Sequence, residues 1–352
     1  MHDFLNLNGL DAVIISDIYN MRYLSGFSGG EGYVYVSHSN KVIITDSRYT
    51  EAAAKEAKSG FEVIQSTFNH NAFDILKALA ESDNAVRIGF EDLVLTCNLY
   101  GKLVNKCGFN TMIPLGEKVN DLRIIKSEDE IDLMRKAQSI ADSAFTEILN
   151  YIRPGVSENM IAAELEYIMR RKGAQGLSFS TIVASGANSS LPHAVPTDRI
   201  IGEGDFITMD FGCIYDGYCS DMTRTIVVGT ASDKQLEIYN TVLNAQLEAM
   251  KFIKSGVIGC EIHKIAADVI EKAGYGEYFG HGLGHSLGLY IHENPRFSPS
   301  EKKQIMSGTI ETVEPGIYIP GFGGVRIEDM IVVRDDGFEN LTHSDKKLIE
   351  IK

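Results

Sequence analysis

Two stretches of this 352-residue chain repeat each other in order, and that repetition limits the folds open to it. Ile152-Arg-Pro-Gly-Val156, with a helical pattern ending at Lys172-Gly173, is echoed by Ile253-Lys-Ser-Gly-Val257 and a helical pattern ending at Ala273-Gly274. Ile161 matches Ile262. Further on, Gly204-Asp-Phe-Ile-Thr-Met-Asp-Phe-Gly212 is echoed by Gly308-Thr-Ile-Glu-Thr-Val-Glu-Pro-Gly316, with Thr208 matching Thr312 and Asp210 matching Glu314. Each half then adds a second acid beside a methionine and a β-rich run: Asp221-Met222 before Thr225-Ile-Val-Val228, and Glu328-Asp-Met330 before Ile331-Val-Val333. Two related halves facing across a pseudo-two-fold axis would gather four carboxylates there. Acids in or beside apolar runs are costly to bury unless a positive charge neutralises them. Two divalent cations sharing bridging oxygens would do so. Chance similarity of short helix-strand segments is the alternative, and two echoes in the same order weigh against it.

The histidines point to the same region. Four of the nine, His193, His281, His285 and His292, stand in glycine- and proline-flanked loops beside the acidic runs, where small neighbours let an imidazole approach a ligand closely. His2, His38, His70, His263 and His343 are expected to be ordinary surface or core side chains.

Upstream of the repeats, residues 1 to about 125 alternate β-rich and helical runs. Asp11–Ser16, Gly32–Ser37, Lys41–Thr45 and Val86–Phe90 read as strands, with helices near Tyr49–Lys58, Ala72–Glu81 and Cys97–Lys106. This is an α/β domain. Its glycine-containing turns carry no phosphate-loop lysine and no GxGxxG after the first strand, so tight turns explain them better than a nucleotide site does. Ser127 and Glu130 form a capping-box signal for a long amphipathic helix to about Tyr151, which sets the boundary between domains 1–125 and 126–352.

Charge and cysteines narrow the class further. A formal net charge of −15 disfavours nucleic-acid and anionic-membrane partners, which need a basic face. Five cysteines without a paired spacing argue against a disulfide framework and for a reducing, cytoplasmic home. No run approaches a membrane span.

Taken together, Leu191-Pro-His193, Met209-Asp-Phe-Gly212, Ser220-Asp-Met-Thr-Arg-Thr225, Gly284-His-Ser-Leu-Gly288, Ile291-His-Glu-Asn-Pro295, Val313-Glu-Pro-Gly316 and Gly324-Val-Arg-Ile-Glu-Asp329 resemble the pita-bread metallopeptidases. The whole chain is similar to the Xaa-Pro peptidases, meaning aminopeptidase P and prolidase (Xaa-Pro dipeptidase). The resemblance implies an α/β N-terminal domain followed by an α+β pita-bread catalytic domain with the internal pseudo-two-fold duplication. It implies metal ligands Asp210, Asp221, His285, Glu314 and Glu328, with Asp221 and Glu328 bridging two cations, Asp210 completing one site, and His285 with Glu314 the other. Manganese is the expected ion, with cobalt, zinc or iron as alternatives. A hydroxide between the metals would attack the scissile carbonyl. His193 and His292 would face the substrate, Glu314 would also move a proton, and His281 would line the pocket. Arg326 would steady Glu328, two residues on, or pair with a substrate carboxylate.

The implied substrates are short proline-containing peptides, as a dipeptidase or an aminopeptidase. The implied assembly is a homodimer in which one subunit's N-terminal domain borders its neighbour's active site. A creatinase-like hydrolase or a non-catalytic peptide-binding module on the same fold would lack the ligand set, which is intact here. Ala194 departs from the glycine usual after the histidine in relatives, and that bears on the pocket wall alone.

Overall fold

A computed structural model describes residues 1–352, which divide into two compact units, Met1–Arg123 and Ile124–Lys352. In the first unit six strands form one mixed sheet in the order Glu62–Gln65, Lys41–Thr45, Tyr33–Ser37, Ala12–Ile15, Arg87–Phe90, Thr111–Pro114. Val13, Val34, Val36 and Ile43 are buried on one side of it, and Ile14, Tyr35, Val42 and Ile44 are packed in a separate cluster. That two-sided burial is why these strands read as near-continuous apolar runs. The helices Thr50–Glu56, Ala72–Ser82 and Cys97–Cys107 stand where the sequence places them. Two more, His2–Asn8 and Ile18–Ser25, were not expected. The second has a local cause: the Asp17 side chain accepts the Tyr19 and Asn20 amides as an N-cap.

The second unit opens with the helix Glu128–Ile148, capped by the Ser127–Glu130 box. The helix ends three residues before Tyr151. The two sequence echoes become two equivalent halves. Each contributes a packed pair of helices, Glu128–Ile148 with Glu158–Arg171, and Asp233–Met250 with Gly259–Lys272. Each also contributes a sheet, antiparallel throughout except where Glu350–Ile351 runs parallel to Met222–Val228. The first half orders Glu350–Ile351, Met222–Val228, Phe206–Phe211 and Ile182–Ser185. The second orders Glu293–Phe297, Gly284–Ser286, Ile310–Val313, Asp329–Arg334 and Gly337–Asn340. The matched residues Ile161 and Ile262 are buried in separate cores, one belonging to each half. Burial of one apolar face of each helix against its own sheet is what the repeated pattern encodes, and the result is the duplicated pita-bread arrangement. No helix is long and apolar enough to cross a membrane.

The register of the sheets fixes the acids. Phe206–Phe211 pairs with Met222–Val228 so that Asp210 faces Thr223, and Asp221 lies just outside the ladder. Ile310–Val313 pairs with Asp329–Arg334 so that Val313 faces Asp329, leaving Glu314 and Glu328 just outside that ladder. Three of the four acids thus stand immediately beyond the ends of strands, where the backbone turns free of the sheet.

Candidate metal centre

Asp221, His285 and Glu328 are all buried, and each offers an atom such that the three lie within 4.8 Å of one another. His285 sits on the short strand Gly284–Ser286, and its Nδ1 is 3.0 Å from the Ser286 carbonyl oxygen. That contact requires the proton on Nδ1, so Nε2 presents a lone pair. Burial holds the ring neutral by pushing its pKa down to about 3. Nε2 stands 3.5 Å from Asp221 Oδ2 and 3.6 Å from Glu314 Oε1. Three acceptors thus face one another once the two carboxylates are ionised.

The electrostatics are unfavourable without a cation. Burial, and then Glu328, raise the pKa of Asp221 well above the carboxylate range. Burial, and then Glu314, do the same to Glu328, and burial pushes Glu314 up to about 7. The cation supplied by the chain is Arg326, itself buried, whose Nη2 donates to Asp210 Oδ2 at 2.7 Å. Asp210 Oδ1 is buried and has no partner. An orphaned carboxylate oxygen and a ring of acceptors are what a hard divalent ion completes. Ligand atoms about 2.1 Å from one ion stand roughly 3 to 3.5 Å apart, and the spacings around His285 Nε2 fall there or just beyond. The residues fit a metal.

The site is the floor of a cleft of about 570 Å³, within the size range of small-ligand pockets. His193, His281, His292, Arg326 and all five expected ligands line it. His292 packs edge-on against His285, with ring centroids 4.7 Å apart, and His193 is exposed on the wall. Ala194 is buried and also lines the cleft. Phe179, Ile182, Pro192 and Val195 supply an apolar wall.

Models of metallopeptidase family M24 and of the creatinase/prolidase N-terminal domain match residues 132–335 and 1–125. The chain belongs to metallopeptidase family M24. This M24 peptidase is 38% identical over 347 residues to the Xaa-Pro dipeptidase of Pyrococcus furiosus, covering 98% of this chain and 97% of that protein. Its fold matches that of an Xaa-Pro dipeptidase from Bacillus anthracis with a TM-score of 0.95, at 44% identity, over 99% of this chain and 97% of the other. It matches an X-Pro aminopeptidase from Thermotoga maritima with a TM-score of 0.92, at 37% identity, over 99% and 100%. As a member of M24 the chain is a metallo-exopeptidase.

The M24 peptidase departs from the sequence reading at Arg326. The strand Gly323–Arg326 ends at that residue, so Glu328 is not its same-face neighbour. Thr223 links them instead, accepting from Arg326 Nε at 3.0 Å and donating to Glu328 Oε2 at 2.7 Å. Arg326 Nη1 donates to the Tyr318 hydroxyl at 2.7 Å, which also lies 3.0 Å from His281 Nε2. Asp329 does not face the cleft: it holds Arg224 and Lys346. Tyr218 donates to Glu130, on the first helix of the unit.

Three lining or supporting side chains went unnoticed in the sequence: Thr223, Tyr318 and Arg296. Thr223 stands inside a quoted motif, two residues from Asp221, and alternation along the strand could have found it. Arg296 is exposed in the cleft and enters no salt bridge. Nothing in its spacing separates it from a surface arginine.

Proposed function

We propose that the chain is a dinuclear metal-dependent exopeptidase that cleaves the Xaa-Pro bond of short peptides. The observation that carries this reading is the ring of acceptors at the cleft floor, formed by Asp221, His285 and Glu328 with Glu314 beside it. Four carboxylates and an imidazole converge on the cleft floor, more donors than one ion needs from the chain while keeping room for water and substrate, and of these acids Arg326 pairs only with Asp210. That favours two ions. Asp221 and Glu328 would be shared between them, Asp210 would hold one, and His285 with Glu314 the other. Hard oxygens with a single imidazole suit manganese, with cobalt, zinc or iron as alternatives. When bound, such ions polarise a peptide carbonyl and lower the pKa of water towards neutrality.

The chain's own groups supply the rest. His193 and His292 present ring N–H groups towards the peptide oxygen, and burial keeps the His292 pKa low, so it donates as a neutral imidazole. Glu314 carries a proton to the leaving proline nitrogen, which must be protonated to depart as an amine. Arg326 holds Asp210 in place, since its donors are engaged by Thr223, Tyr318 and Asp210. An Xaa-Pro bond has no N–H to grip, and the apolar wall of Phe179, Ile182, Pro192 and Val195 needs no acceptor for one. The unpaired guanidinium of Arg296 suits the terminal carboxylate of a two-residue substrate, which favours dipeptides over longer ones. The P. furiosus and B. anthracis relatives are Xaa-Pro dipeptidases, which supports the same choice. A homodimer in the cytoplasm completes the reading, supported by the family resemblance and by five unpaired cysteines.

The test is hydrolysis of an Xaa-Pro dipeptide and an Xaa-Pro-Xaa tripeptide by metal-stripped protein, with and without manganese, beside Asp221→Asn. Manganese should restore cleavage in the parent alone, with the dipeptide preferred. Folded protein that cuts neither peptide with any of the four metals ends the proposal.

A further inference from the structure

His263 lies half-buried on the helix Gly259–Lys272, outside the cleft lining. Its Nδ1 accepts the Leu283 amide at 3.2 Å. A ring nitrogen that accepts carries no proton, so the ring is neutral with its proton on Nε2. Burial lowers its pKa and favours that form. Leu283 is fully buried, and its carbonyl accepts the Glu314 amide at 2.7 Å. The Leu283 peptide is therefore gripped at both ends, by an imidazole on one side and by the backbone of Glu314 on the other. His285 follows two residues later. Phe279 stacks on the His263 ring at 5.5 Å and 25°, and meets His281 edge-on at 5.1 Å and 80°. The segment leading to His285 is thus held against one helical side chain at two points, Phe279 and Leu283.

We infer that His263 is a positioning residue whose Nδ1 fixes the Leu283 peptide, and through it the backbone from which His285 and Glu314 enter the cleft. A buried N–H that loses its acceptor costs the desolvation of that group, and the segment moves to satisfy it. The consequence for metal rests on the ligand assignment proposed above; the grip on Leu283 does not.

Three proteins separate the two. His263→Asn keeps an acceptor, because the Asn Oδ1 stands about where Nδ1 does. His263→Phe keeps a ring against Phe279 and removes the acceptor, and His263→Ala reads the same loss should the phenyl ring fail to pack. In metal-free protein, exchange of the Leu283 amide should accelerate about tenfold or more in His263→Phe and stay near the parent in His263→Asn. In a manganese titration of stripped protein the dissociation constant should rise roughly tenfold to a hundredfold in His263→Phe, with rescue by His263→Asn. Unchanged Leu283 exchange in the acceptor-less variants overturns the inference, and so does faster exchange with unchanged manganese affinity. A parent that binds no manganese overturns the ligand assignment instead, and Leu283 exchange still decides whether His263 holds that peptide.

Discussion

Arg326 holds Asp210 by one oxygen and leaves the other bare. Its Nη2 donates to Oδ2 at 2.7 Å, while Oδ1 is buried without a partner. The guanidinium thus orients the carboxylate and leaves Oδ1 open on the side where the proposed ion would sit. Arg326→Lys retains the charge and loses the fork that also engages Thr223 and Tyr318. With Xaa-Pro dipeptide, kcat should fall roughly ten- to a hundredfold and manganese affinity should weaken, with KM little changed. A rise in KM alone would instead make Arg326 a substrate contact.

Arg296 gives the opposite split. It is exposed in the cleft and in no salt bridge, and in the proposed reaction it would pair with a carboxylate that arrives with the substrate. Arg296→Met should raise KM for an Xaa-Pro dipeptide roughly tenfold, the value of a charge-assisted pair of about 1.5 kcal/mol, and leave the amidated dipeptide unaffected. Equal loss on both substrates assigns Arg296 to the scaffold.

Much of this site was legible because its acids interrupt apolar runs at matched places in two halves. Asp210 and Glu314 announce themselves by their neighbours Thr208 and Thr312, and the echo around Ile161 and Ile262 marks the cores beneath them. Arg296 and Tyr318 were not legible, because what makes them part of the cleft is the packing of one strand against another. Neither has a periodic partner in sequence. The same limit explains the N-terminal unit. The strand Glu62–Gln65 is at a sheet edge and half exposed, so it has neither an apolar run nor a clean alternation. The Asp17 cap, by contrast, was a readable start signal for the helix Ile18–Ser25.

The metal-free centre should make stability depend on pH in a way the loaded protein does not. Burial raises the pKa of Glu314 from 4.5 to about 7, and raises Asp221 and Glu328 as well. An acid whose pKa is raised on folding favours the folded state while protonated, fully so below 4.5, and that contribution is lost as the pH climbs through about 7. Stripped protein should therefore lose thermal stability between pH 5 and pH 7.5, by roughly 5 °C or more, while manganese-saturated protein changes less. Melting curves at both pH values check it, and parallel behaviour of the two forms contradicts it.

Behind the cleft, Lys126 and Glu293 form an ion pair at 3.0 Å with both side chains almost wholly buried. Removing one partner strands the other in a low-dielectric interior. Lys126→Met should destabilise the protein by about 3 to 5 kcal/mol, and adding Glu293→Gln should recover part of that loss. Denaturant unfolding of the single and double variants measures both.

Counting the bound metal decides whether this set of side chains holds two ions. Calorimetric titration of manganese into stripped parent and into Asp221→Asn, with metal content measured after gel filtration, gives the number. Two ions per chain are expected in the parent, with Asp221→Asn retaining at most one. A parent that saturates at one ion, or an Asp221→Asn variant that still holds two, contradicts it.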